Sequence, residues 1–259
     1  MNDKIQMKMA GENTRVIHVF WTGGMDSTFN LINRLLTTQA PVRPHYIVRH
    51  EDSTGIEIDT MITIRRALLA KYPELRSRFL PTIYTNEDLI PRFKEVDSEV
   101  EELRKQVKIN EQYQILANYC REFRIDRVDL SYELDLDQPP DEILVSRFFG
   151  NTAAFLSFFN PLEKITKPDC YRIAKEGGWD DVLLMTSFCR RPRKKIKPCG
   201  VCGTCSDTVK NGMGFRLPLV PRIKANLLLP FRNYWRKNKS KQKKNRYFLM
   251  IQRKFEGRL

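Results

Sequence analysis

No apolar run in the chain approaches the roughly 20 consecutive residues that a helix needs to cross a bilayer. This excludes the helical membrane-spanning classes. Residues 1–13 are polar and lack the apolar stretch of a secretory signal, so the expected compartment is cytoplasmic. Internal repeats are absent too, which removes solenoids and propellers. A scattered cysteine framework is also missing. Of the six cysteines four fall between Cys189 and Cys205, while Cys120 and Cys170 stand alone, and with no signal peptide seen a secreted disulfide scaffold is not expected. Acidic residues, finally, are nearly absent from residues 222–259, where thirteen Lys and Arg face only Glu256. Of the net charge of +14, +12 therefore lies in this C-terminal extension, and the preceding 221 residues are close to neutral. At 259 residues and 41% hydrophobic content, the chain is long and apolar enough for one substantial core plus extensions.

Residues 16–21 (Val-Ile-His-Val-Phe-Trp) form a short, β-branched-rich apolar run that predicts a buried strand. Thr22, Gly23, Gly24, Met25, Asp26, Ser27 and Thr28 follow at once. A helical pattern then places Phe29, Leu31, Ile32, Leu35 and Leu36 on its apolar positions. Strand, glycine turn and helix together suit an anion. Glycines let the backbone approach phosphate closely, and the first N–H groups and positive end of the helix point toward the charge. Ser27 and Thr28 add hydroxyl donors. Asp26 fits such a site only if a divalent cation, of which oxygen-ligated Mg2+ is the common case, bridges it to the phosphates. The G-x-x-x-x-G-K-[ST] phosphate loop is excluded, because no Lys follows the glycines.

Cys189, Cys199, Cys202 and Cys205 have the spacing C-x9-C-x2-C-x2-C. Gly200 and Gly203 permit the tight turns that bring closely spaced thiolates around one ion, and Cys189 arrives from upstream as the fourth ligand. Four thiolates form a closed tetrahedral site, so the expected cofactor is structural Zn2+. An iron–sulfur cluster takes the same ligand set and is the alternative. The cations between Arg190 and Lys197 would offset the negative charge of the site. Cys120 and Cys170 read as small buried hydrophobes.

Further along, residues 45–48 predict a second strand, and Ser53 or Thr54 caps a helix that runs to about Tyr72 through Met61, Ile64, Ala67 and Leu68. Residues 79–84 are a third strand candidate, interrupted by Pro81. Residues 87–124 are helical in period, with Leu103, Val107, Tyr113, Leu116 and Ala117 facing a core. Residues 128–132 predict a fourth strand, ending near Asp135 and Asp137. Pro139 and Pro140 open a helical stretch whose Phe148, Phe149, Phe155, Phe158 and Phe159 belong to a core. Asn160, Pro161 and Leu162 read as an extended link, and Pro168 suits the first turn of another helix. Alternating strands and helices predict an α/β fold with a doubly wound parallel sheet, whose ligands bind beyond the carboxyl ends of the strands. The expected segments are 1–185 for nucleotide binding, 186–215 for the four cysteines, and 216–259 for the basic, aromatic-containing extension.

The turn at 22–28 resembles the Ser-Gly-Gly-x-Asp-Ser loop of the PP-loop ATP pyrophosphatase superfamily, with Thr22 in place of the first serine. Residues 160–168 (Asn-Pro-Leu-Glu-Lys-Ile-Thr-Lys-Pro), 185–189 (Met-Thr-Ser-Phe-Cys) and 198–205 (Pro-Cys-Gly-Val-Cys-Gly-Thr-Cys) narrow this. They resemble the 7-cyano-7-deazaguanine synthase family, whose Pro-Leu…Thr-Lys, Thr-x-Ser-x-Cys and Cys-Gly-x-Cys-x-x-Cys segments come in this order. The resemblance spans about residues 16–212. It implies an adenine nucleotide α-hydrolase-like fold and an ATP-dependent ligase that adenylates a carboxylate, releases pyrophosphate, and admits ammonia or another amine. It implies that Phe20, Trp21, Thr22, Gly23, Gly24, Met25, Asp26, Ser27 and Thr28 hold ATP and Mg2+. Catalysis would fall to Asp26, Ser27 and Lys167, the last by neutralising phosphate charge; a surface position at a helix start is the plainer reading of Lys167. Two family segments have no counterpart. Residues 131–140 lack the Ser-Gly-Tyr-Pro-Asp stretch that recognises deazaguanine, and residues 100–120 lack a Gly-Arg-Asn stretch. The nucleotide chemistry is expected to be retained and the acceptor pocket rebuilt, with a deazapurine or a related carboxylate as acceptor.

The extension interleaves Leu227, Leu228, Leu229, Phe231, Tyr234 and Trp235 with cations. This pattern suits nucleic acid, through phosphate attraction and base stacking. It equally suits an anionic membrane surface, or a solvated tail partly docked on the body. Three function classes remain: the ligase, a PP-loop sulfurtransferase or other nucleic-acid-modifying enzyme, and a nucleotide-binding module of a larger assembly. A homodimer is compatible with each.

Overall fold

The computed structural model describes residues 15–51, 53–106, 111–125, 127–131, 159–161, 165–190 and 197–237. Of residues 103–106, 159–161 and 233–237 it describes the backbone. The chain divides into two compact units, Met1–Thr54 with Ile58–Thr186, and Gly55–Glu57 with Ser187–Leu259.

The first unit is built on β1 (Ile17–Phe20), β2 (Val42–Val48), β3 (Ile83–Asn86), β4 (Val128–Leu130) and β5 (Phe159–Pro161). All neighbours are parallel, in the order β3-β2-β1-β4-β5. The chain thus runs outward from β1 to one edge and returns to the other side of β1, so strand order reverses between β1 and β4. Helices α1 (Met25–Thr37), α2 (Thr54–Lys71), α3 (Lys94–Gln106), α4 (Glu111–Glu122), α5 (Lys167–Glu176) and α6 (Asp180–Leu183) connect and flank the strands. Parallel strands require such crossovers.

Side-chain alternation places the helices. Val128 and Leu130 of β4 join Phe20 and Ile47 in one apolar cluster with Val96 and Val100 of α3 and Leu116, Ala117, Tyr119 and Cys120 of α4. Asp129 lies between the first two and so points the other way. There it meets Arg34 of α1, with Nε 2.6 Å from its carboxylate. α1 therefore covers the face opposite α3 and α4. Its Phe29, Leu31, Ile32 and Leu35 are buried, and Phe29 stacks at 5.5 Å on Trp179, just before α6. The result is an α/β fold around a parallel sheet.

Several boundaries differ from the sequence reading. β2 begins at Val42, because Val42 pairs with Ile17 and Pro44 with Val19 ahead of the expected start at His45. β3 begins at Ile83. Phe79 forms only an isolated bridge to Val42, since Pro81 lacks the N–H that a continuous ladder needs. The helical stretch at 87–124 is broken into a 3-10 turn (Glu87–Leu89), α3 and α4, and its core includes Val96 and Val100. Asn160 and Pro161 of the expected extended link belong to β5, and Phe159 stands in that strand rather than in a helical stripe. Ser53 precedes α2, but its side chain makes no capping bond. Tyr132, Asp135, Asp137, Phe148, Phe149, Phe155, Phe158, Val107 and Leu162 lie outside the described residues.

The second unit holds α7 (Gly203–Lys210) and α8 (Leu219–Lys237), with a 3-10 turn (Gly214–Arg216) between them. Its core is Cys199, Val201, Cys202, Cys205, Leu217 and Ala225, flanked by Phe188, Cys189, Val209 and Leu228. No described helix is long and apolar enough to cross a membrane.

Candidate functional site

Beyond Phe20 the chain leaves β1 and turns into α1 at the carboxyl edge of the sheet, on the strand beside which the order reverses. Ligands of open parallel sheets collect there. Trp21 anchors the turn at both ends. Its N–H donates to the His45 carbonyl at 2.9 Å, and its indole Nε1 donates to Thr28 Oγ1 at 2.9 Å. Both residues are buried, as are Phe20 and Met25, so these four support the turn from beneath. Gly23 has φ +69°, a left-handed conformation that costs any other L-residue about 1–2 kcal/mol.

The rest of the turn is laced by long hydrogen bonds. The Thr22 N–H donates to Ser27 Oγ at 3.2 Å, and Ser27 Oγ donates to the Gly24 carbonyl at 3.3 Å. The Gly24 N–H reaches Thr22 Oγ1 at 3.4 Å, and the two hydroxyls lie 3.3 Å apart. A Cβ on Gly24 would stand 3.3 Å from Thr22 Oγ1, which is tight. Gly24 is also the N-cap of α1, and no side chain caps the helix there. The turn therefore offers amides, hydroxyls and the positive end of a 13-residue helix in one place.

Asp26 and Lys167 meet at this turn from distant parts of the sequence. Lys167 Nζ lies 3.4 Å from the Asp26 carboxylate, with both side chains partly exposed. A capping box sets the position of Lys167: Thr166 Oγ1 accepts from the Asp169 N–H, and the Asp169 carboxylate accepts from the Thr166 N–H at 3.0 Å. Hydrogen bonds from Thr166 hold the Asp169 carboxyl below its ordinary value. Pro168 occupies the first turn, as its fixed φ allows. Behind α5, Cys170 is buried, and burial pushes its thiol up to about 12. Cys120 is also fully buried, with its thiol driven up by desolvation. Among the described residues, Asn30, Thr60 and Ser131 hold buried side-chain polar atoms with no hydrogen-bond partner. Ser131 follows directly on β4, the strand next to β1.

Sequence reasoning missed a polar chain inside the sheet. His18 Nδ1 lies 2.8 Å from His45 Nε2, and His45 Nδ1 lies 2.6 Å from Tyr119 Oη. Burial lowers His45 to about 3, and lowers His18 as well. The available signal was a histidine in each of two mostly apolar strands.

The four clustered cysteines converge in the second unit, their Sγ atoms all within 4.8 Å of one another. Cys189 to Cys202 is 3.9 Å, Cys199 to Cys205 is 3.9 Å, and Cys202 to Cys205 is 3.4 Å. A tetrahedral ion with bonds of about 2.3 Å separates its sulfurs by about 3.8 Å, so the group fits a metal such as zinc. The N–H of Val201 points at Cys199 Sγ, and that of Cys199 at Cys189 Sγ; both stabilise thiolate. Hydrogen bonding from Cys189 pulls Cys199 down to about 6 and Cys202 further, while Cys189, bonded to Cys199, is pushed up. Gly200, at φ +75°, makes the turn possible. A Cβ there would come within 2.4 Å of the Pro221 carbonyl.

No family model matches the chain, and no curated protein matches it.

Proposed function

We propose that the protein is an ATP-dependent ligase of the PP-loop type, similar to 7-cyano-7-deazaguanine synthases, with a doubly wound nucleotide-binding unit and a structural zinc unit. ATP would supply the activation: transfer of AMP to a carboxylate oxygen releases pyrophosphate, and ammonia or another amine attacks the acyl carbon, forming the C–N bond as the C–O bond to AMP breaks and AMP leaves. The observation that carries this reading is the glycine turn at the strand-order reversal with Lys167 beside Asp26 (3.4 Å). Thr22, Gly23, Gly24 and Ser27 offer N–H and O–H donors to phosphate oxygens. Asp26 offers a carboxylate to a magnesium ion, and Lys167 brings positive charge where charge develops on the leaving phosphates. Trp21 and Thr28 keep the donors aimed. Cys189, Cys199, Cys202 and Cys205 hold the zinc and take no part in the chemistry.

A sulfurtransferase needs an accessible, acidic thiol or a cluster iron. The described cysteines of the first unit, Cys120 and Cys170, are buried with raised thiols, which favours the ligase. The acceptor is a carboxylate of the deazapurine class or a related acid.

The test is incubation with labelled ATP, ammonia and a panel of aromatic and purine-like acids, followed by mass spectrometry of the products. Pyrophosphate release that depends on an acid is expected. Asp26→Ala should abolish it, and Lys167→Ala should lower it by about 10²–10³-fold, both with unchanged circular dichroism. Calorimetry that finds no adenine nucleotide bound to the wild-type protein overturns the reading.

A further inference from the structure

α8 presents apolar side chains in two directions. One set is used within its own unit: Ala225 is fully buried and Leu228 packs on the cysteine cluster. On the same side, Pro221 lies against Gly200, and Arg232 donates to the Val201 carbonyl. The other set is bare. Val220, Ile223, Leu227 and Phe231 follow the spacing i, i+3, i+7, i+11, so they form a single stripe. They are 60%, 49%, 67% and 64% exposed, and neighbouring Leu219 is 70% exposed. Single exposed apolar residues are ordinary, but a contiguous row of large ones marks an interaction surface.

Charge identifies the partner. α8 contains no acidic residue; of its five cations Arg222 and Arg232 bond carbonyls of their own unit, and Lys224, Arg236 and Lys237 are the ones offered to a partner. The sequence continues with Lys239, Lys241, Lys243, Lys244 and Arg246. We propose that the stripe on α8 docks the protein on an anionic lipid bilayer, lying in the plane of the headgroups with the aliphatic row inserted and the cations against lipid phosphates. A nucleic acid is the poorer occupant, because such interfaces are polar and an aliphatic row supplies neither phosphate contacts nor stacking platforms. A second copy is poorer too, since pairing α8 with itself sets cations against cations with no acid on the helix.

The experiment is flotation of the full chain with vesicles of phosphatidylcholine containing about 30% phosphatidylserine, and with phosphatidylcholine alone. The expected result is flotation with the anionic vesicles only, weakened by salt. In the double variant Leu227→Glu, Phe231→Glu the bound fraction should fall at least about tenfold, with circular dichroism and cysteine-bound metal unchanged. Ile223→Gln with Leu227→Gln gives the same comparison should the glutamates disturb folding. The proposal fails if the wild type stays at the bottom of the gradient. It fails equally if either double variant floats like the wild type, since the basic segment alone then accounts for binding. Loss in the variants of RNA retention or of a concentration-dependent dimer, without vesicle binding by the wild type, also overturns it.

Discussion

His45 is nearly inaccessible, held between His18 and Tyr119, and burial keeps it neutral with a folded-state value of about 3. In the unfolded chain it titrates near 6.5. Above that pH neither state holds the extra proton, and this site favours folding fully. As pH falls below 6.5 the unfolded chain takes up a proton that the folded chain refuses, so stability is lost down to about 3. The loss is about 1.4 kcal/mol per unit, or roughly 3 kcal/mol between about pH 7 and pH 4. Urea unfolding at the two values should show a steeper decline for the wild type than for His45→Gln, in which the site no longer titrates; equal slopes would refute the assignment. This chain was not legible in the sequence, because it depends on the register that sets His45 one strand over and on a tyrosine delivered by α4. The glycine turn between β1 and α1 was legible for the opposite reason. Residues 22–27 are contiguous, and the bonds among Thr22, Gly24 and Ser27 close without help from afar. The supporting role of Trp21 and Thr28, by contrast, emerges only from the buried bond between them.

At the level of elements, α5 matters because its first residue is Lys167. The Thr166–Asp169 capping box fixes where the helix begins and hence where the ammonium lies relative to Asp26. Thr166→Ala removes the acceptor for the Asp169 N–H and should cost about 1 kcal/mol of stability. In the proposed enzyme it should also lower turnover through Lys167, while Thr166→Ser restores both; a Thr166→Ala variant with lower melting temperature and undiminished turnover would detach the cap from catalysis. The helix was anticipated from Pro168. β5 was not, because Asn160 and Pro161 read as an extended link rather than as a sheet strand. Its position explains this: among the described residues β5 is the outermost strand, bonded on one side to β4, and an edge strand tolerates a proline whose missing N–H would face outward. The start of β2 was hidden similarly, since Pro41 and Pro44 resemble punctuation until Val42 is seen to pair with Ile17.

For the molecule as a whole, the two units have cores of different kinds. The first rests on buried aliphatic and aromatic side chains from a parallel sheet and its helices. The second has a small core in which Cys199, Cys202 and Cys205 are themselves packing residues beside Val201, Leu217 and Ala225. A core this small is expected to depend on a cross-link, and without a cation the four cysteines would have to take up protons rather than stand together as thiolates. Removing a metal held by the four cysteines should therefore unfold the second unit selectively. Treatment with a strong chelator is expected to abolish amide-exchange protection in residues 199–228, with a fall in helix signal from α7 and α8, while amides of β1, β2 and β4 keep theirs. Elemental analysis before chelation should find one zinc per chain; iron with sulfide would shift the site to a cluster. Retained protection of α7 and α8 after complete metal removal would show that the cysteines pack as ordinary thiols, and the metal centre would be lost from the account.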